Sequence, residues 1–166
     1  MSFFNFQQIK FKSMIATYDR GLIILRGIPA AGKTTCAHAL VQEREREGIP
    51  AMRIGRDDVR NLLCLADQPR RKCIGTRQQE NMVTSIESTM IRAAFESGIQ
   101  WVIEDSTNLH SESIRRLEDL ARECGVNPFV WLLNVDVETA IARDARREDS
   151  CGEDVIRRMA SRMGTV

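Results

Sequence analysis

The chain has 166 residues and a mass of 18.9 kDa, about one domain's worth of polypeptide, long enough to bury a core without disulfides or a structural metal. With 43% hydrophobic and 28% charged residues it is neither a disordered tail nor a fibrous repeat, and a net charge of +1 excludes a histone-like polycation. All but four of the 24 basic residues are Arg; genomic base composition explains such a bias, and bidentate phosphate contacts would also use it. The five cysteines are scattered without a CxxC pair, and His38 and His110 fall in no zinc spacing, so reduced thiols and no metal knuckle are expected. No apolar run reaches the roughly 18 residues of a membrane span. The N-terminus also lacks the apolar stretch of a secretory signal. The expectation is a cytoplasmic protein without a membrane partner.

Residues 1–20 read as an N-terminal extension and 21–166 as a single domain. Four of the six Phe (Phe3, Phe4, Phe6, Phe11) crowd the extension; packing against the domain is the favoured reading, a contact between subunits of a homo-oligomer the alternative. Residues 22–25, Leu-Ile-Ile-Leu, form a continuous apolar run and so a buried strand. A Gly-rich loop and a helix follow, with Ala37, Leu40 and Val41 on one face and a stop at Gly48 before Pro50. Residues 51–55 are a short strand, 58–65 a helix and 67–75 a basic loop. A long helix over 76–96 carries Met82, Ile86 and Met90 at spacing four. Residues 101–103 are a third strand. Ile114, Leu117, Ala121 and Cys124 mark an amphipathic helix closed by Gly125. Residues 129–135 read as a fourth, almost wholly apolar strand, and helices over 137–147 and 153–162 complete the domain. Apolar strands alternating with helices predict an α/β fold, with a parallel sheet covered on both faces.

Residues Gly27-Ile28-Pro29-Ala30-Ala31-Gly32-Lys33-Thr34 match G-x-x-x-x-G-K-[ST], between a buried strand and a helix. Small residues let successive backbone N–H groups curl around a phosphate, and the helix N-terminus adds positive potential at the same point. Gly27, Ala30, Ala31, Gly32, Lys33, Thr34 and Thr35 are therefore assigned to ATP. Lys33 reaches the β- and γ-phosphates and Thr34 completes the shell of a Mg²⁺ ion. A strand–turn–helix link that uses Gly only for its backbone angles is the bland alternative.

Acceptor chemistry belongs at the ends of the other strands, around the same crevice. After the second strand come Arg56-Asp57-Asp58-Val59-Arg60. Asp57 can take the proton of an attacking hydroxyl, with Arg60 three residues on gripping an anionic group of the acceptor; equally, one Asp simply caps the helix, and Asp57 catalytic with Asp58 capping satisfies both. After the third strand, Asp105 either orients Arg60 or stands in the outer shell of Mg²⁺, while Thr107 and Asn108 serve phosphates or a lid; a polar turn is the bland alternative. Arg143 and Arg147, four apart, share a helix face and can close over ATP, or lie on a solvated face beside Asp144 and Glu148. Arg70 and Arg71, in the basic loop, can guide the acceptor backbone. Trp101 and Trp131 are read as core rather than base-stacking platforms.

This succession (the phosphate loop, R-D-D-x-x-R, D-x-T-N, R-x-x-x-R and the closing Asp154-Val155-Ile156-Arg157-Arg158-Met159) resembles the kinase domain of the bacteriophage-type 5′-hydroxyl polynucleotide kinases, over about residues 21–162. The resemblance implies an adenylate-kinase-like P-loop NTPase fold, three-layered, with a four-stranded sheet ordered 2-3-1-4. It also implies Mg²⁺-dependent transfer of the ATP γ-phosphate to 5′-OH ends of DNA or RNA, in nucleic-acid end repair. Asp57 would be the general base, Arg60 would hold the neighbouring acceptor phosphate, Lys33 and Thr34 would serve ATP and Mg²⁺, and Arg147 would be the lid arginine. The acidic residue before Thr-Asn stands one place earlier than in the phage enzyme, at Asp105 with Ser106 following, as in eukaryotic and bacterial relatives. The 3′-phosphatase part of the phage and eukaryotic enzymes has no counterpart here: the length is too short and no D-x-D-x-T/V element occurs, so no phosphatase activity is expected, whether the chain acts alone or is one excised domain. Two alternatives stay open: a P-loop kinase of a small hydroxyl metabolite or antibiotic, and a non-catalytic NTP-binding switch.

Overall fold

The computed structural model describes residues 13, 15, 17–63 and 76–163. Four strands, β1 (Gly21–Arg26), β2 (Ala51–Ile54), β3 (Trp101–Asp105) and β4 (Asn127–Leu132), form one parallel sheet in the order β2-β3-β1-β4. That is the order the resemblance implied. The helices are α1 (Lys33–Arg46), α2 (Arg56–Leu63), α3 (Arg77–Glu96), α4 (Ser111–Glu123), α5 (Val137–Asp144) and α6 (Glu153–Met163).

The apolar runs dictate the layering. In β1, Leu22, Ile23, Ile24 and Leu25 are all buried, because the strand lies between two others and under helices on both faces. Ile23 and Leu25 face one core with Trp101, Ile103, Phe129 and Trp131, covered by α1, α5 and α6. Leu22 and Ile24 face the other core with Ile54 and Val102, covered by α3 and α4. Both tryptophans are core residues, as read from their strands, and the Arg44 guanidinium lies over the Trp101 ring at 4.7 Å.

Element ends follow local chemistry. Gly48, at φ 73°, ends α1 as expected and lets the Ile49 N–H close back on the Arg44 carbonyl. Thr76 caps α3 in a reciprocal capping box with Gln79. The extension's four Phe lie outside the described residues; Ile15, from the same segment, is buried in the first core, and Tyr18 meets Phe129 edge-on at 4.9 Å.

Three readings need correction. Strand β4 runs over Asn127–Leu132 and alternates, with Val130 and Leu132 exposed: it is an edge strand, half covered, so its apolar run does not mark burial on both faces. In α3 the sheet-facing stripe is Val83–Glu87–Ile91, one residue away from Met82–Ile86–Met90, and Met82 is 48% exposed. Turned that way, the helix buries Glu87 on two arginines. Helix α5 stops at Asp144, so Arg147 lies in the loop beyond it and shares no helix face with Arg143. No described helix is long and apolar enough to cross a membrane.

Candidate active site

The C-terminal ends of the strands open into one cleft of about 2100 Å³, the place where open parallel sheets bind ligands. Its floor is the loop between β1 and α1. Gly27 begins that loop between two strand ends: its N–H donates to Thr107 O at 3.0 Å, and a Cβ there would stand 2.7 Å from Leu133 O. Only glycine fits. Ala30 and Gly32 take left-handed angles, φ 59° and 94°, so the chain turns sharply enough for α1 to begin at Lys33 with its first-turn N–H groups unspent on the helix. Thr34 and Thr35 follow, exposed at the cleft wall.

Lys33 lies over the loop, its Nζ donating to Gly27 O at 3.0 Å and Ile28 O at 2.8 Å. Burial pushes its ammonium down to about 8, against the pull of Asp105 and Asp57. Those two carboxylates and Arg147 therefore act on one amine, which brings together four residues named from separate motifs.

On the acceptor side, helix α2 begins at Arg56 rather than at Asp58, so Asp57 and Asp58 both stand in its first turn. Asp58 does not cap: it binds Arg53 of β2, which also donates to Asp105 Oδ2 at 2.7 Å. Asp105 is thus paired with Arg53 and not with Arg60. The partners of Arg60 are Asp57, through Oδ1 at 2.6 Å, and Glu80 of α3, bidentate at 3.0 and 2.8 Å. Arg60, with Arg56, holds the Glu80 carboxyl below its usual range. The Asp57 side chain is 82% exposed and lines the cleft. Asn108, read as a phosphate or lid contact, is instead buried: at φ 45° its amide donates to Leu25 O at 2.8 Å and to Glu104. It ties the end of β3 to the strand that feeds the phosphate loop, so its donors are spent inside the protein. Thr107 lines the cleft. Arg70 and Arg71 lie outside the described residues.

Arg143 lines the cleft from the last turn of α5. Arg147 is fixed by Asp149 through two bonds of 3.0 and 2.9 Å. Its loop is organised from below by Asp144, read as a surface partner but buried, which accepts from Ser150 Oγ at 2.7 Å and Gly152 N at 2.9 Å.

The sequence reading missed Arg53, Glu80, Glu87, Arg116 and the role of Arg56. Arg56 reaches Thr84, Glu80 and Glu87, and Arg116 of α4 reaches Glu87 Oε2 at 2.6 Å. Glu87 is fully buried, near the equally buried Glu104. Burial, and Glu87 beside it, raise the Glu104 carboxyl well above the usual range. The signal for Glu87 was present as a carboxylate in the stripe Val83–Glu87–Ile91.

Among the described residues no three His, Cys, Asp or Glu converge as a cation cage. A Mg²⁺ ion arriving with a triphosphate fits what is present, since it needs one or two protein oxygens and keeps the rest of its shell as phosphate and water. The Thr34 hydroxyl, exposed at the cleft wall, would ligate it, with Asp105 behind.

A family model described as an AAA domain matches residues 22–165. The chain is 25% identical over 144 residues to the L-seryl-tRNA(Sec) kinase of Methanococcus maripaludis, covering 87% of this chain and 52% of that protein. It is 31% identical over 140 residues to a putative bifunctional polynucleotide kinase/RNA ligase of Autographa californica nuclear polyhedrosis virus, covering 79% of this chain and 19% of that protein. The chain thus spans about half the length of one curated relative and about a fifth of the other. Its fold matches a chain in the structure of the Pnkp1/Rnl/Hen1 RNA repair complex with a TM-score of 0.70 at 19% identity, over 89% of this chain and 45% of that one. Together with the phosphate loop and the strand order β2-β3-β1-β4, this match shows that the chain belongs to the AAA-domain family, with a P-loop fold.

Proposed function

We propose that the domain transfers the γ-phosphate of ATP to 5′-hydroxyl ends of DNA or RNA. The observation that carries this reading is the acceptor half of the cleft: wide, polar and lined by arginines that run away from Asp57. A small metabolite is better served by a closed pocket with apolar walls, whereas a polynucleotide end needs an open track that neutralises its backbone.

In this reading Lys33 and the first-turn amides of α1 hold the β- and γ-phosphates. When bound, Mg²⁺ supplies positive charge to the β- and γ-oxygens. Arg60 grips the phosphate on the 3′ side of the acceptor nucleoside and, through its bond to Asp57, keeps that carboxylate aimed at the 5′-OH. Asp57 accepts the hydroxyl proton as the new O–P bond forms and the bond from the γ-phosphorus to the ADP oxygen breaks. Arg143 and Arg147 close over the triphosphate from the opposite wall.

The test is incubation with Mg²⁺, γ-labelled ATP and a 5′-OH oligonucleotide, beside Lys33→Ala and Asp57→Asn. Label on the oligonucleotide, lost in both variants, is the expected result. The similarity to a seryl-tRNA(Sec) kinase over 87% of this chain favours a second reading, in which the accepting hydroxyl belongs to an aminoacyl group on RNA. Seryl-tRNA is therefore the second acceptor to offer. Label on it alone would replace the 5′-end reading.

A further inference from the structure

The acceptor wall carries a row of alternating charges: Arg60–Glu80–Arg56–Glu87–Arg116. Each neighbour is joined by at least one bond between 2.6 and 3.2 Å. The row starts at Asp57, bound to Arg60, and crosses from α2 over α3 to α4. All three arginines line the cleft. Glu87 is its buried centre. An apolar residue would complete the Val83–Ile91 stripe, and a buried ion cluster replaced as a whole by apolar groups is commonly neutral or stabilising. A fully buried carboxylate holding two arginines by their η-nitrogens is thus poorly explained by stability. It is well explained if the orientation of those guanidinium groups matters, because a long cationic side chain that is already fixed loses less freedom when it captures an anion.

We propose that Arg56 and Arg116 form a track for backbone phosphates beyond the one held by Arg60, and that Glu87 is the positioning residue that presets both. The inference rests on the polynucleotide reading above and extends it: the ligand is a strand of at least two phosphodiesters rather than a single nucleotide.

The test compares KM for two acceptors, a nucleoside 3′-monophosphate and a 5′-OH oligonucleotide, in wild type, Glu87→Met, Glu87→Gln and Arg116→Ala, with melting temperatures recorded. For all three variants the expected result is a KM for the oligonucleotide raised about tenfold. KM for the monophosphate and for ATP should stay within about twofold. Glu87→Met should melt lower than wild type, because it strips Arg56 and Arg116 of a shared buried partner, so KM values are compared at a temperature where every variant is folded. Arg116→Ala, a half-exposed truncation that leaves the core intact, should also lower the slope of log affinity against log salt by about 0.7. If Glu87→Met does not fold, Arg116→Ala alone decides by its acceptor-length dependence and salt slope. Equal losses on both acceptors would make Glu87 purely structural and overturn the inference. So would an unchanged or lower oligonucleotide KM, which would mean that Glu87 only offsets charge. A wild type inert toward every 5′-OH acceptor would instead overturn the function reading, and this inference with it.

Discussion

Lys33 offers a direct test of how the phosphate loop is tuned. Its ammonium is buried over the loop and titrates at about 8 instead of 10.5, so keeping it charged in the free protein costs about 3 kcal/mol relative to water. A triphosphate brings negative charge to the same point and removes that penalty, so the bound amine is fully protonated. The sign follows: ATP binding takes up protons, and the uptake grows with pH across the free-state value. It is about 0.1 proton per ATP at pH 7, about 0.5 at pH 8 and about 0.9 at pH 9. Calorimetric titration of ATP with Mg²⁺, in buffers of differing ionisation heat, reads this number directly. In parallel, kcat/KM for ATP should fall about tenfold per pH unit above pH 8 as the free protein loses its charge, while kcat, which reports the bound state, stays level. Lys33→Met should bind ATP weakly and without the pH-dependent uptake. Equal uptake in wild type and Lys33→Met, or uptake independent of pH, would refute the argument that burial over the Gly27 and Ile28 carbonyls tunes this amine.

Other outcomes follow from the same geometry. Asp57→Asn should leave ATP affinity intact and lower kcat by about 10²–10⁴, the usual contribution of a general base, measured by single-turnover label transfer. Gly27→Ala should lower the melting temperature and abolish ATP binding, because the new Cβ meets Leu133 O, a backbone atom, at 2.7 Å; the destabilisation should be about 1–3 kcal/mol by denaturant titration. Asp144→Ala should release Ser150 and the Gly152 N–H, loosening the loop that carries Arg147: KM for ATP rises, stability falls by about 1–3 kcal/mol, and amides of 146–152 exchange faster. Thr76→Ala removes one half of the capping box and should cost about 1 kcal/mol without changing either substrate's KM.

Much of this protein was legible in its sequence because the signals were local. A continuous Leu-Ile-Ile-Leu ahead of a Gly-rich loop marks a buried strand, Gly48 before Pro50 marks a helix end and takes φ 73° there, and the phosphate loop needs glycine where backbone meets backbone. Asp57 and Arg60 were found together because a helix brings residues three apart onto one face. What tertiary structure decided was the pairing of charges between elements, since no spacing encodes which arginine meets which carboxylate. Asp105 went to Arg53 rather than Arg60 because β2 and β3 are neighbours and their C-terminal ends lie side by side. Asn108 turned inward because the β3 end must be tied to β1, and Asp144 sank beneath its loop because α5 stops there. Glu87 reads in sequence as one more polar helix residue. Only the packing of α3 against the sheet, between Arg56 on one side and Arg116 on the other, buries it and gives its charge two partners.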